Sequence, residues 1–252
     1  MNNLGNELAG QVAFVTGGAR NIGRSICLDL AAGGAAIAVN ALTSAAEAEA
    51  LAAEIEAAGG KAMACIGDIA DPAAATRMIG EAVARFGKLT ILVNNAAVRG
   101  LTPIEEMTLD AWRRVCGPTV EGAMLCTQAA VPHIRAAGGG SIVTLGGIAG
   151  HAGVKGRTHV AAAKAALVGF TKSLAHEVGG DSITANIVVP GHIETVRGAS
   201  AGAPPAYNVN YLVEGRRGRP EEVAAVVRAL CGPAGRYVTG QTVHVNGGAY
   251  LP

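Results

Sequence analysis

Short apolar runs separated by longer stretches of helical spacing set the rhythm of this chain. The runs at 12–16, 36–40, 61–66, 89–94, 141–145, 184–189 and 242–245 are apolar nearly throughout instead of alternating. That is the pattern of parallel strands covered on both faces. Between them, segments 22–33, 44–58, 72–86, 108–137, 159–178 and 220–231 read as helices, and Asp71-Pro72 and Arg219-Pro220 place a proline near a first helical turn. There its missing N–H costs little. Repeated βα units of this kind predict an α/β fold, a doubly wound parallel sheet of about seven strands flanked by helices, as one domain over residues 1–252. The segment 191–218 breaks the rhythm: it holds Gly198, Gly202, Pro204, Pro205, Tyr207, Tyr211, Arg197, Arg216 and Arg217 without periodicity. A stretch that long in a compact domain predicts a substrate lid, the alternative being a surface excursion.

Composition narrows the partners. Half of the residues are hydrophobic but only 3% are aromatic, so Ala, Val, Ile, Leu and Gly must fill the core. The balance of 20 basic to 19 acidic residues leaves no global field to attract nucleic acid or an anionic membrane. No apolar run reaches the roughly 18 residues of a bilayer span. Met1-Asn2-Asn3-Leu4-Gly5 has neither the basic nor the apolar region of a leader. The expectation is a cytoplasmic protein whose partner is a small-molecule substrate, with no nucleic acid and no membrane. Five scattered cysteines without CxxC spacing read as reduced, mostly buried thiols, and six histidines without HxH or HExxH spacing suggest no metal site.

After the first run comes Thr16-Gly17-Gly18-Ala19-Arg20-Asn21-Ile22-Gly23, then a helix. Glycines there let the backbone approach a pyrophosphate, and the helix N-terminus supplies free N–H groups and a favourable dipole. Further landmarks follow in order: Asp68 after the third run, Asn94-Asn95-Ala96-Ala97 after the fourth, Asn186 and Pro190-Gly191 at the sixth, and Gly240-Gln241-Thr242 with Val245-Asn246-Gly247-Gly248 at the seventh. Together these resemble the short-chain dehydrogenase/reductase family, in its 3-oxoacyl-ACP-reductase-like form, from about residue 8 to 250. Asn21 stands where that family's glycine turn has its middle glycine; asparagine is among the residues that best tolerate positive φ. The resemblance implies a Rossmann fold and a dinucleotide held by Gly17, Arg20, Asn21, Ile22, Gly23, Asp68, Ile69, Asn94, Ala96, Lys164, Pro190, Gly191, Ile193 and Thr195. No acid follows the second run in Val39-Asn40-Ala41-Leu42-Thr43-Ser44. Arg20, helped by Thr43 or Ser44, could instead meet a 2′-phosphate, so NADP(H) is favoured over NAD(H).

In the resembling family a tyrosine is the general acid or base, a lysine four residues on holds the ribose, and a serine polarises the substrate oxygen. Lys164 matches that lysine. The tyrosine position is Val160, the serine position thirteen residues earlier is Gly147, and the family's helix-four asparagine aligns with Thr119. Valine has no exchangeable proton and glycine no polarising side chain, so the usual proton path is absent. A replacement donor could be His192, directly after Pro190-Gly191, or His159, beside the tyrosine position; His151, Tyr207 and Tyr211 are further candidates. The small residues Ala161, Ala162, Ala163, Ala165, Ala166 and Gly169 around Lys164 permit close helix approach. Family members pair such helices, which implies a homodimer or homotetramer. Three readings stay open: an NADP(H)-dependent oxidoreductase of a carbonyl, alcohol or imine with a relocated proton donor; a non-redox cyclase, isomerase or lyase; and a catalytically silent nucleotide-binding protein.

Overall fold

The computed structural model describes residues 5–196, 213 and 215–252. Strands β1 (Val12–Val15), β2 (Ala36–Ala41), β3 (Lys61–Ile66), β4 (Ile91–Asn94), β5 (Gly140–Leu145), β6 (Ile183–Pro190) and β7 (Thr242–Val245) form one seven-stranded sheet in the order β3-β2-β1-β4-β5-β6-β7. Every pairing is parallel. The chain begins in the middle of the sheet, builds outward to β3, then returns to place β4 on the other side of β1. The crevice beyond the C-terminal ends of β1 and β4 is therefore the switch point where ligands of such sheets bind. This is the Rossmann architecture that the apolar runs predict.

Alternation along the strands divides the core between the two faces. Ala13 and Val15 of β1 join one cluster with Ile26, Leu30, Leu51, Val223 and Val227, while Val12 and Phe14 join the other with Met78, Ile79, Cys126 and Leu174. The first face carries α1 (Asn21–Ala32), α2 (Ala45–Ala57) and α8 (Pro220–Cys231); the second carries α3 (Pro72–Phe86), α5 (Gly122–Ala136) and α7 (Thr158–Val178). Burying each Val, Leu or Ile contributes about 1.5–3 kcal/mol, so an aromatic-poor core suffices at this size. Asp71 caps α3 by accepting from the N–H groups of Ala73 and Ala74. Cys27, Cys65, Cys126 and Cys231 are free and buried. No helix among the described residues is long and apolar enough to cross a membrane.

Two departures from the sequence pattern bear on the site. The single helix expected over 108–137 is present over 109–136 but widens within: α4 (Leu109–Cys116) passes through a π-helical turn at Gly117–Glu121 into α5. Pro118 has no N–H to donate, and the N–H of Gly122 closes instead on the carbonyl of Gly117 five residues back. A four-residue helix, α6 (Ala149–Ala152), also follows β5. The two ends of the irregular 191–218 segment are tied together: Glu194 N–H donates to Gly218 O at 2.8 Å and Gly218 N–H to His192 O at 3.0 Å. Residues 197–212 and 214, with Arg197, Tyr207 and Tyr211, lie outside the described residues.

Arg228 of α8 joins three parts of the first face. Its Nε and Nη2 donate side-on to the Glu7 carboxylate at 2.6 and 3.1 Å, and its Nη1 donates to Asp29 of α1 at 2.9 Å. The guanidinium holds the Glu7 carboxyl down from 4.5 to about 2. Its stabilisation is complete above the ordinary value and is lost as pH falls towards the folded one. Arg228→Met is expected to destabilise the fold by about 2 kcal/mol at neutral pH, less than a fully buried pair would cost. The gap to wild type should shrink between pH 4.5 and about 2, which denaturant unfolding at several pH values measures.

Candidate active site

The turn after β1 is braced from both neighbouring strands. Thr16 Oγ1 accepts from the N–H groups of Asn95 and Ala96 at 2.8 and 3.0 Å. Asn95 Nδ2 returns two bonds, to the carbonyls of Thr16 and Gly17 at 2.9 and 3.0 Å. From the other side, Asn40 Oδ1 accepts from Gly17 N–H at 3.1 Å and Asn40 O from Gly18 N–H at 2.8 Å. The same amide donates to the carbonyls of Cys65 and Gly67, both at 3.2 Å. From sequence, Asn95 figures only within the Asn94-Asn95-Ala96-Ala97 landmark and Asn40 only within the stretch that has no acid after the second run, neither with a role at the site. The signal for Asn40 is that it is the one polar residue in β2, Ala-Ile-Ala-Val-Asn-Ala.

Gly17 and Asn21 both adopt positive φ, +58° and 51°, as the turn requires. Asn21 does more than tolerate it. Its Nδ2 donates to Val196 O at 3.0 Å and its Oδ1 accepts from Val196 N–H at 2.8 Å, which ties the start of the irregular segment to the turn. The first turn of α1 has no side-chain cap and no acidic residue. Its orphan N–H groups are therefore left for an anion.

One cavity of about 530 Å³ runs along the strand ends from this turn to the N-terminal half of α7. Of the residues expected to hold a dinucleotide, Gly17, Arg20, Asn21, Ile22, Gly23, Ala96, Lys164, Pro190, Gly191, Ile193 and Thr195 line it. So do Gly147, Val160 and His192. Thr43, Ser44, Asp68, Ile69 and Asn94 are not in this lining. Asn94 is buried and donates to Thr127 Oγ1 at 3.0 Å; Asp68 accepts from Ala70 N–H at 2.9 Å. Ile69 is buried and faces Gly122. Arg20 forms an ion pair with Glu47, whose carboxyl is held below its ordinary value by Arg20 and, less, by the Ser44 hydroxyl. The stretch after β2 has no acid of its own, but Glu47 in the first turn of α2 reaches the same place.

Lys164 Nζ donates to Leu145 O at 2.6 Å. Burial, with the positive charge of Arg99 second, pushes its ammonium down from 10.5 to about 8. A Cβ on Gly147 would lie in ordinary contact with this lysine, 3.7 Å from its Cγ, so the position has room for a serine side chain and simply lacks one. Thr119 is 2% exposed on the π-helical turn, and its hydroxyl is buried without a partner.

His159, expected as a candidate proton donor beside the tyrosine position, lies in the protein interior. The ring is 1% exposed, it packs where a side chain on Gly100 would collide with its Nε2, and it does not line the cavity. Burial, then Arg114 and Arg157, hold its imidazole below the ordinary value. His151 is also outside the lining and stacks edge-on against His244, with ring centres 4.7 Å apart. Arg99 and Arg157, neither picked out from sequence, do line the cavity. A basic residue three positions before the vacated tyrosine site was the available signal for Arg157.

An uncapped helix start, a positive-φ turn and a lysine at the far side of one cleft define a dinucleotide-binding α/β protein. Residues 17–250 match the family described as Enoyl-(Acyl carrier protein) reductase. The chain is 37% identical to a 3-oxoacyl-[acyl-carrier-protein] reductase of Synechocystis sp., over 97% of this chain and 98% of the relative. Among solved structures it resembles a blue fluorescent protein from a metagenomic library in complex with NADPH (TM-score 0.90, 39% identity, 98% of this chain and 100% of that one). It also resembles a short chain dehydrogenase of Burkholderia cenocepacia in complex with NADP (TM-score 0.88, 37% identity, 97% and 99%). The chain belongs to the short-chain dehydrogenase/reductase family.

The depressed Lys164 value has a measurable consequence. A lysine that titrates lower in the folded state than in the unfolded one costs stability while it is charged in both. That cost is relieved as pH rises from about 8 to 10.5. Lys164→Met, which removes the titration, is expected to be more stable than wild type at neutral pH by on the order of 1–3 kcal/mol. Its advantage should shrink as pH rises through that window; unfolding curves at matched pH values test this.

Proposed function

We propose that this protein is an NADP(H)-dependent oxidoreductase of a carbonyl, alcohol or imine substrate, with His192 in place of the family's tyrosine as the proton donor. The observation that carries the reading is the continuous cavity, which has the uncapped glycine turn at one end and both Lys164 and His192 in its wall. Bound NADPH supplies a hydride to the substrate carbon, and NADP⁺ accepts one in the reverse direction. The α1 N–H groups and the turn would hold the pyrophosphate, and Lys164, fixed by Leu145 O, would hold the nicotinamide ribose. The chain's remaining task is to move one proton to or from the substrate heteroatom. Arginines cannot do this near neutrality and Val160 has no proton to give, whereas an imidazole can. The same reading includes a homodimer or homotetramer built on α7, where Ala162, Ala165, Ala166 and Gly169 form an exposed small-residue face.

The preference for NADP(H) is supported by the two nucleotide-bound neighbours and by Arg20. Glu47 competes with a 2′-phosphate for that guanidinium. Arg20→Ala is expected to weaken NADPH binding roughly tenfold, the order of one charge-assisted hydrogen bond, with little effect on NADH. Glu47→Gln should act in the opposite direction, tightening NADPH alone. Titration of both nucleotides against the three proteins decides it; equal effects on NADH and NADPH would remove Arg20 from the 2′-phosphate site.

A second reading, nucleotide binding without turnover, is favoured by the absence of a protic side chain at Gly147 and Val160. The two readings part on one set of assays with NADPH and a panel of ketones, aldehydes and imines. Under the first, wild type turns over, and His192→Ala and His192→Gln lower kcat about 10²–10⁴-fold. Unchanged kcat in both variants would reject His192. Activity seen only in Gly147→Ser/Val160→Tyr would favour the silent binder, and product formed without NADPH consumption would favour a non-redox enzyme.

A further inference from the structure

We propose that the substrate carries a carboxylate and that Arg157 is the residue that binds it. Arg157 sits at the N-terminal end of α7, three residues before Val160, so the two share a face of the first turn, and both line the cavity. Arg157 is 7% exposed, and its Nε and Nη2 are closed off by the protein with no hydrogen-bond partner, so they meet a ligand when the side chain turns into the cavity that it lines. Among the described residues it forms no ion pair. A guanidinium left this way is expensive, because burial removes its water and nothing in the chain replaces it.

The pattern of vacancy specifies the ligand. Nε–H and the adjacent Nη2–H point the same way from one edge of the planar guanidinium, and that edge matches the two oxygens of a carboxylate. This protein already uses the same edge elsewhere, where Nε and Nη2 of Arg228 take both oxygens of Glu7 at 2.6 and 3.1 Å. The surroundings select for negative charge as well. Among the described residues, Arg20, Arg99, Arg157, Lys164 and Arg217 line the cavity and no Asp or Glu does. Arg20 belongs to the glycine-turn end, whereas Arg157 stands beside the position where the family keeps its tyrosine. The anion it awaits is therefore on the substrate, close to the reacting carbon.

This inference rests on the oxidoreductase reading for the words "reacting carbon", but its binding half does not. Two arms keep the failures apart. In the first, the NADPH complex of the full chain is titrated with benzoate and with benzamide, a pair of equal shape and different charge, using calorimetry. Wild type is expected to bind benzoate at least tenfold more tightly, with the preference lost in Arg157→Met and reduced in Arg157→Lys, which keeps the charge but not the edge. Unchanged NADPH affinity in the variants shows that the fold is intact. In the second arm, oxo acids with the carbonyl two to five carbons from the carboxylate are compared with their methyl esters by NADPH oxidation. Arg157→Met should lower kcat/KM for the best acid about 100-fold and change that for its ester less than threefold. Equal binding of benzoate and benzamide by wild type, or tighter binding of inorganic phosphate than of any carboxylate, would overturn the proposal. Benzoate preference dependent on Arg157, without turnover of any oxo acid, would support the site while counting against the oxidoreductase reading.

Discussion

The hydrogen bonds that Asn40, Thr16 and Asn95 make at the C-terminal ends of β2, β1 and β4 are what the site depends on. A glycine turn that presents N–H groups to a ligand cannot satisfy its own backbone by secondary structure. The neighbouring strands do so with side chains: Asn40 takes Gly17 N–H from one side, and Asn95 donates to the Thr16 and Gly17 carbonyls from the other. These three residues also fix the spacing of the strands at the switch point, since each bonds across to a different one. The turn is held by groups that a ligand need not touch, which leaves its outward N–H groups free for binding. Asn21 extends the same device outward to Val196 and so couples the turn to the segment that leaves β6.

A second constraint is electrostatic. Among the described residues the cavity lining concentrates positive charge and holds no carboxylate, and Lys164 registers that. Lys164 is held below its ordinary value by burial and, less, by the positive charge of Arg99. Part of this charge suits a dinucleotide phosphate chain. The rest lies along the β5 and α7 side, where the nucleotide's phosphates have no place if its pyrophosphate sits on α1.

The fold was almost fully legible in the sequence because parallel strands buried on both faces give continuous apolar runs, which neither a lone helix nor a half-exposed strand imitates. Strand bounds differ by a residue or two, as at Ile91–Asn94 against the expected 89–94. The helix over 108–137 is legible from its periodicity and runs without a break over 109–136, but the π-helical turn at Gly117–Glu121 leaves no mark in that periodicity beyond Pro118. The site was legible where backbone conformation dictates residue type, at Gly17, Asn21 and Pro190-Gly191. It was less so where long side chains cross between elements. Glu47 reaching Arg20, Asn40 reaching across β3, and His159 packing on Gly100 are tertiary facts that no spacing rule reports. Arg157 was passed over because a single arginine before a helix reads as a solvated cap, and only its burial distinguishes it.

Thr119, Gly147 and Val160, at the positions that align with the family's asparagine, serine and tyrosine, are best read with the lining taken as a whole. A scaffold drifting after loss of function should fill or polarise the vacated space at random, yet Gly147 still has room for a side chain beside Lys164 and the lysine still holds Leu145 O. Val160, at the position that aligns with the family's tyrosine, lines the cavity together with the buried Arg157 three residues before it. That pair has no neutral side-chain hydrogen-bond donor and supplies a fixed charge whose field is strengthened by the same burial that makes it costly. A charged substrate group bound there would have its position set by the protein and not by the reacting oxygen, which is the task the serine and tyrosine share elsewhere in the family. The altered residues are thus consistent with each other as a change in how the substrate is held, and the proton can then come from whichever wall of the cavity the held substrate faces.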